Sequence, residues 1–372
     1  YYGEDEHLLP LLYLNDGKGN LTRKADAFSG IHVTQSVVLA NDWNNDGAVD
    51  LFIGGRAVPW NYGAAPGSYL LQNDGTGVFI DVTKKLVPDL QFAGMVTDAK
   101  LVDMNKDGNQ DLLLSYEWGG IDVFVQESKQ FNRQHITTDK GWWSSILSFD
   151  ADGDGDLDVL ATNLGLNTKL KTSAAQPVKL YHNDFDGNGR QEQLLTYYLS
   201  GKEIPFATKM DLEKQVPSLK KKFLYAEDFA KASLNDLFGA DKLKQSQVLT
   251  VTEFAHCLFI NNKGTFEKKS LPWPLQLNNY RTSCITDANG DALPDILLLG
   301  NYYDNHVQIG RQDGDFGTLL INKGSGDFET SSFTGFIDLK QVRKIKPIQI
   351  NNQPAYILAR NNASSVSISF VK

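Results

Sequence analysis

The chain has 372 residues, 22% charged and 41% hydrophobic, which is an ordinary globular composition. A formal net charge of −9 and the lack of a Lys/Arg stripe argue against nucleic acid as a partner. No apolar run of about 18 residues exists, so no spanning helix is expected.

The sequence starts at Tyr1 with neither Met nor a signal peptide, and a processed or trimmed piece of a longer chain is expected. The first recognisable element is "LLYLNDGKGNL" at 11–21. It reads as a strand, a tight Asn/Asp/Gly turn and a return strand. The same hairpin recurs at 69–79, 256–266 and 318–328, with a degenerate copy, "VFVQESKQF", at 123–131.

Between the hairpins lie five acidic loops. "DWNNDGAVDLFIGG" begins at Asp42 and "DMNKDGNQDLLLSY" at Asp103. "DADGDGDLDVL" begins at Asp150, "DFDGNGRQEQLLTYY" at Asp184 and "DANGDALPDILLLGN" at Asp287. Oxygen-bearing side chains fill positions 1, 3, 5 and 9. A Gly sits at 4 or 6, and an apolar run usually follows. Alternate side chains of a tight loop can converge on one point, and Gly permits the curl. Hard oxygens in that number suit Ca²⁺, which takes about 6–8 of them. An EF-hand loop would end on Glu at position 12 between helices. Here the last acid comes at 9 and the flanks are β-like, so a calcium loop inside a β-hairpin is predicted.

The predicted ligands of the first loop are Asp42, Asn44, Asp46 and Asp50, with the Ala48 carbonyl. The second would use Asp103, Asn105, Asp107 and Asp111, with Asn109 at the carbonyl position. The third would use Asp150, Asp152, Asp154 and Asp158, with Asp156. The fourth has Asp184, Asp186, Asn188 and Glu192, with Arg190. It is the weakest copy, because Arg fills the carbonyl position and Glu replaces the last Asp. The fifth has Asp287, Asn289, Asp291 and Asp295, with Leu293. Asp/Asn/Gly turns without metal are the plain alternative. Five copies in one register favour the metal. Up to five structural Ca²⁺ would also offset the negative net charge.

Residues 203–246 lose the β pattern and read as a helical insertion, with Thr208 and Asp211 as a capping box. The insertion accounts for the long interval between the loops at 184 and 287. Cys257 and Cys284 lie in apolar strands and are expected to be buried free thiols. The six His show no metal-ligand spacing and read as surface or strand residues.

The unit is therefore strand, acidic loop, strand, hairpin. Repeats at about 40–50 residues point to propeller blades. The expectation is one all-β propeller of about seven blades over 1–372, with the insertion inside it. The first blade would begin mid-blade near Tyr1. The last, "AYILARNNASSVSISF", carries no acidic loop. Terminal strands pairing in one sheet would close the ring.

The pattern D-x-[DN]-x-[DN]-G-x-x-D-[LIV], followed by "YLNDGxGxF"-type hairpins, resembles the FG-GAP/VCBS repeat found in integrin α-chain propellers. A narrower resemblance rests on "NLGLNTKLKTSAAQPVKLYHNDFDGNG", "YYLSGKEIPFATKMDL" and "LLLGNYYDNHVQIGRQDGDFGTLLINKGSGDF". These are similar to the last propeller of large Bacteroidota VCBS-repeat surface proteins. Those are related to the cartilage acidic protein group and often carry an ASPIC/UnbV segment. No such segment is visible here, which suits a C-terminal fragment. The resemblance implies a fold and a metal more than a function. Calcium loops binding at about 10⁻⁴–10⁻³ M suit an extracellular or outer-membrane surface location.

No H-E-x-x-H, G-x-S-x-G or P-loop motif is present. The chain reads as a non-catalytic binding module for a glycan, peptide or protein at the cell surface. The first alternative is a structural subunit of a larger outer-membrane or surface assembly. The second is a polysaccharide-degrading enzyme on a calcium propeller. Three segments are unusual for plain turns: 54–69 with Arg56, Trp60 and Tyr62; 162–167 with Asn163 and Asn167; and 300–314 with Tyr302, Tyr303 and Arg311. Each follows the strand that leaves an acidic loop, so all three are expected on one face as the ligand surface.

Overall fold

The computed structural model describes residues 5–332 and 340–369. The N-terminal hairpin is β1 (Leu12–Asn15) and β2 (Leu21–Lys24). A four-stranded sheet follows: β3 (Thr34–Asn41), β4 (Asp50–Ala57), β5 (Tyr69–Asn73) and β6 (Phe79–Asp81). After the short α1 (Thr83–Leu86) come β7 (Met95–Val102), β8 (Asp111–Glu127) and β9 (Gln130–Trp142), which form a three-stranded sheet. Next are β10 (Ser145–Phe149) and β11 (Asp158–Thr162), then β12 (Val178–Asn183), β13 (Glu192–Leu199) and β14 (Lys202–Pro205).

Five helices follow: α2 (Lys209–Gln215), α3 (Ser218–Lys222), α4 (Ala226–Lys231), α5 (Leu234–Phe238) and α6 (Ala240–Gln245). The chain resumes as β15 (Gln247–Val251), β16 (Cys257–Asn262) and β17 (Thr265–Ser270). It continues through β18 (Tyr280–Thr286), β19 (Asp295–Gly300), β20 (Thr318–Asn322) and β21 (Phe328–Ser332). The last described strands are β22 (Val342–Ile350), β23 (Gln353–Arg360) and β24 (Val366–Ile368). All strand pairings are antiparallel.

The apolar runs after the acidic loops explain how sheets stack. Successive residues of a strand point to opposite faces. Leu112 and Leu114 of β8 pack toward Phe52 and Leu70, while Leu113 packs toward Ile146 and Val159. Ile296 and Leu298 of β19 join Leu160 and Leu258. Leu297 and Leu299 join Val342 and Leu358 on the other side. Each such strand is buried on both faces, so it carries no polar alternation. Sheet follows sheet in this way: β7 lies against β3, β10 against β7, β18 against β10, and β22 against β18.

Two expectations need correction. The interruption of the repeat is larger than a helical insertion. The sheet of β10 and β11 is completed by β16 and β17, in the order β10-β11-β16-β17. The whole sheet β14-β13-β12-β15, with its helices, is inserted between β11 and β16. The helical stretch also begins later than residue 203. Lys202–Pro205 pair with β13, because Glu203 draws in Lys179 Nζ at 2.7 Å, Thr196 Oγ1 at 2.7 Å and the Tyr181 hydroxyl at 3.0 Å. Among the described residues, β1 and β2 form their own sheet and do not pair with β22–β24. Leu12 packs instead on the core around Phe28, Ile53 and Leu71. Tyr1 and Phe370, at the expected junction, lie outside the described residues.

The helices cover one end of the inserted sheet. Leu212, Val216, Leu219, Leu237 and Phe238 bury Phe185 and Leu194. Thr208 caps α2 through the Asp211 amide at 3.3 Å, as its spacing predicts. Both cysteines are free and buried.

Asp98 ties three strands together from β7. It is 1% exposed. It accepts from the Ile146 amide of β10 at 3.2 Å and pairs with Lys344 of β22 at 2.9 Å and Lys100 at 3.2 Å. Burial alone would raise its pKa, but Lys100 and Lys344 hold it below the usual carboxylate value. A depressed folded pKa contributes stability above the unfolded value, which is lost as pH falls through the folded one. Asp98→Asn should therefore lower stability at pH 7 by about 2 kcal/mol, the buried-pair scale discounted for two partly exposed lysines. The gap to the wild type should narrow below about pH 4. Thermal melts from pH 7 to pH 3 measure this, and equal midpoints at pH 7 would contradict it.

Candidate functional site

All five acidic loops turn between antiparallel strands in one register. The residue before position 1 faces position 9: Asn41 with Asp50, Val102 with Asp111, Phe149 with Asp158, Asn183 with Glu192, and Thr286 with Asp295. Position 1 folds the loop by accepting backbone N–H groups. Asp42 takes those of Asp46 and Gly47 at 3.1 and 2.8 Å, and Asp150 those of Gly153 and Gly155 at 2.8 and 2.9 Å. Position 5 accepts the N–H of position 7 at 2.7–2.8 Å in every copy. Gly47 stands at φ +87°, a conformation that a side chain would strain.

Position 9 does more than supply an oxygen. Asp158 is fully buried. One oxygen accepts from the Ala151 amide at loop position 2, and the other from the Asn261 amide of β16, both at 2.7 Å. Asp50 joins Trp43 to Asn73, Asp111 joins Met104 to Gln126, and Asp295 joins Ala288 to Asn322 in the same way. Glu192 holds Phe185 at 2.8 Å. The hairpin amide then reaches the neighbouring sheet. Gln126 donates to the Trp43 carbonyl at 2.9 Å, and Asn322 to the Ala151 carbonyl at 3.3 Å. Burial pushes up the carboxyl pKa of Asp50, Asp111, Asp158 and Glu192.

The loops differ in how their carboxylates are arranged. Asp150, Asp152 and Asp158 bring oxygens within 4.8 Å of one another, and so do Asp184, Asp186 and Glu192. The copy at Asp184, the poorest match by sequence, therefore gathers its acids as tightly as the third loop does. The longer Glu192 still reaches the position-2 amide, which keeps the loop in register. In the loops at 42, 103 and 287 the position-3 Asn donates to the position-5 Asp at 2.7, 3.0 and 2.8 Å. Aspartate at position 3 cannot make that bond. Asp154 and Asn188, at position 5, accept amides of their own loops. Asp156 turns outward and pairs with Lys106 of the second loop at 2.6 Å. Arg190 offers its amide to Asn188 at 2.7 Å. The donor set is hard oxygen throughout, and the buried Asp158 faces amide N–H groups and two further carboxylates. That chemistry fits a divalent cation.

The three unusual segments meet at a cavity of about 450 Å³. Arg56 and Tyr62 come from 54–69, Leu164 from 162–167, and Tyr302, Asn305 and Ile309 from 300–314. Gly300 lets the last segment approach, since a Cβ there would lie 1.9 Å from the Asn279 carbonyl oxygen. Arg56 and the Tyr62 hydroxyl both engage Glu117, the latter at 2.8 Å, and Trp118 Nε1 donates to Tyr62 at 2.9 Å. Burial and the Glu117 charge push the Tyr62 pKa well up. Trp118 sits at φ +64° in a bulge of β8 and lies edge-on to Trp142, with ring centroids 5.3 Å apart.

Not every predicted contact residue reaches this cavity. Asn163 is fully buried and structural: it accepts from the Trp142 and Leu164 amides and donates to the Glu253 carbonyl. Trp60 stands at φ +61°, is 72% exposed, and borders Arg190 and Gln191 instead. Arg311 stacks on Tyr303, 3.8 Å from its centroid, and pairs with Asp313 at 3.0 Å. It shares a separate groove with Asn167, Lys169 and Lys171. Tyr302 and Tyr303 diverge, as neighbours in extended chain must. Sequence reasoning missed Glu117, Trp118, Trp142, Asn279 and Arg281 on the cavity wall. The "WW" at 142–143 and "YEW" at 116–118 were the available signals. His256 is a buried structural residue, accepting the Asn163 amide at Nδ1 and facing the Asn278 carbonyl through Nε2. Burial lowers its pKa to about 4.

An FG-GAP-like repeat model matches residues 42–114 and 103–161, which span the first three acidic loops. The chain therefore carries FG-GAP-like repeats on strands of an all-β fold. No curated protein matches the sequence. Two solved structures are similar at 10% identity. One is the V. cholerae biofilm matrix protein Bap1, with a TM-score of 0.37 over 94% of this chain and 65% of that one. The other is BBS1N in complex with ARL6DN, with a TM-score of 0.30 over 90% of this chain and 91% of that one. No helix among the described residues is long and apolar enough to cross a membrane.

The position-9 carboxylate predicts a sharp mutational contrast. Asp158→Ala orphans two buried amides, each costing about 1–3 kcal/mol. A loss of about 3 kcal/mol is expected in urea unfolding. Asp26, 68% exposed and paired with Lys24, should tolerate Ala with no measurable change. Equal midpoints for the two variants would contradict the clamp.

Proposed function

We propose that the chain is a calcium-stabilised, non-catalytic binding module of the extracellular or outer-membrane surface, built as a propeller-type array of sheets. Its partner is a glycan or protein presented there. One observation carries this reading: three segments far apart in sequence converge on a cavity walled by Tyr62, Trp118, Trp142 and Tyr302. Rings with polar edges in a concave site suit recognition of a ligand with both apolar and polar faces.

The acidic loops would fix that cavity in place. Asp150, Asp152, Asp154 and Asp158 would hold one Ca²⁺, and Asp184, Asp186, Asn188 and Glu192 another. The ion would supply positive charge between carboxylates that otherwise repel. These two loops would load first, because no Asn amide competes for their oxygens. The loops at 42, 103 and 287 would follow. The fourth loop also supports the helices, since Lys242 of α6 donates to the Asp184 carbonyl at 2.5 Å.

Binding to the native state alone stabilises by mass action. Millimolar calcium should raise the thermal midpoint above that in chelator. Asp154→Ala should shrink the rise, and Asp26→Ala should leave it whole. Scanning calorimetry decides, and one midpoint under both conditions would overturn the structural role of the metal.

A further inference from the structure

The charge of the cavity wall is unbalanced. Glu117 is the one carboxylate among the described lining residues, and Arg56 and Tyr62 already engage it. Arg281, at the start of β18, also lines the cavity. Among the described residues its guanidinium makes no direct ion pair, and Glu117, already the partner of Arg56, attracts it only from farther off. The Arg281 guanidinium carbon instead lies 5.0 Å from the Tyr302 centroid, and that of Arg343 lies 5.3 Å from the same ring. Arg343 donates to Gln341 at 2.8 Å. Burial and the Arg343 charge lower the Arg281 pKa to about 10, which leaves it cationic at neutral pH. A partly buried cation whose nearest carboxylate is already paired with another arginine is costly, and such groups cluster at functional sites.

Among the described residues, two further polar atoms on the wall lack partners. Asn279 is 3% exposed, and its Oδ1 accepts nothing, while its amide nitrogen donates to Gln312 at 2.7 Å. Trp142 Nε1 is buried and donates to nothing. Buried polar atoms of native proteins are nearly always satisfied, so each such group calls for a partner. The wall thus offers a cation, a donor, an acceptor and the rings of Trp118, Trp142 and Tyr302. An anion alone would leave the rings and Asn279 unused. A neutral sugar would leave Arg281 without a direct ion pair. A carboxylated sugar ring matches all of them: charge for Arg281, hydroxyls for Asn279 and Trp142, and C–H faces for the aromatic rings.

We infer that the cavity seats an acidic sugar residue of a surface or secreted glycan, with its carboxylate on Arg281. The inference rests on the binding-module reading and narrows its ligand. The test uses the full chain in millimolar calcium. Calorimetric titrations would use uronate glycans (oligogalacturonate, oligoalginate, hyaluronan fragments) and neutral ones (galactan, mannan, dextran). A uronate glycan should bind, and Arg281→Gln should weaken it about 30-fold or more. Arg281→Lys should restore part of the affinity. The Arg281→Gln midpoint should equal or exceed that of the wild type, because burial and the Arg343 charge oppose the cation more than Glu117 favours it. Trp142→Phe should weaken binding while keeping the ring. Neutral glycans binding as well as uronates, or uronate binding indifferent to Arg281→Gln, would overturn the acidic sugar and leave the binding module standing. Binding of no glycan, with capture of a peptide carboxylate at Arg281, would overturn the sugar. Binding of neither class would overturn both readings.

Discussion

Everything in this structure leans on a carboxylate at the ninth position of each acidic loop. In four of the five loops its two oxygens join a loop amide to an amide of the next strand of the sheet, as Asp50, Asp111, Asp158 and Asp295 do, while Glu192 holds the loop amide of Phe185. The group is buried, so the bonds form where water does not compete and an unmade bond is expensive. The same group closes the loop whose other oxygens face a prospective cation. Loop shape and sheet assembly are therefore one problem with one solution, repeated.

That clamp does not require its partners to be neighbours in sequence. Asp158 holds Asn261, 103 residues away, with the whole β12–β15 sheet and its helices looped out between them. The inserted sheet has its own acidic loop and its own cover of helices, centred on Phe185 and Phe238. An insertion of this size is tolerated because both ends meet at adjacent strands, and closure entropy grows slowly with length. The insertion also contributes Leu180, Gln193 and Leu195 to the cavity wall. The interruption of the repeat thus helps to build the pocket.

The cavity combines groups that a stable core would avoid. Trp118 is held at φ +64°, and among the described residues Arg281 makes no direct ion pair and Asn279 Oδ1 and Trp142 Nε1 have no partners. Strain and unmet polarity persist where the surrounding structure over-determines them. Here the surroundings are β8, β18 and the inserted sheet, all packed through large apolar clusters. The rigid sheets bear the cost, and the site keeps its unsatisfied groups, from which the acidic-sugar ligand is inferred.

Local pattern alone carried the five acidic loops, the hairpins, the helical stretch and the buried cysteines. Each depends on residues within about a dozen positions, where spacing and backbone preference suffice. It also brought 54–69, 162–167 and 300–314 into one candidate surface, and Arg56, Tyr62 and Tyr302 do share the cavity. What local pattern could not carry was partner choice. Nothing near Asp158 announces that its strand pairs with Cys257–Asn262 rather than with the next strand in sequence. Nor does anything in "TNLGLN" reveal that Asn163 is locked between backbone groups 21 and 90 residues away. Trp60, at φ +61°, lies outside that cavity and borders Arg190 and Gln191 instead. Arg281 lies in the ordinary strand β18 and Asn279 just before it. Their meaning comes from the polar capacity left over, and only three-dimensional packing decides which charges lack a direct ion pair and which carbonyl oxygens accept nothing.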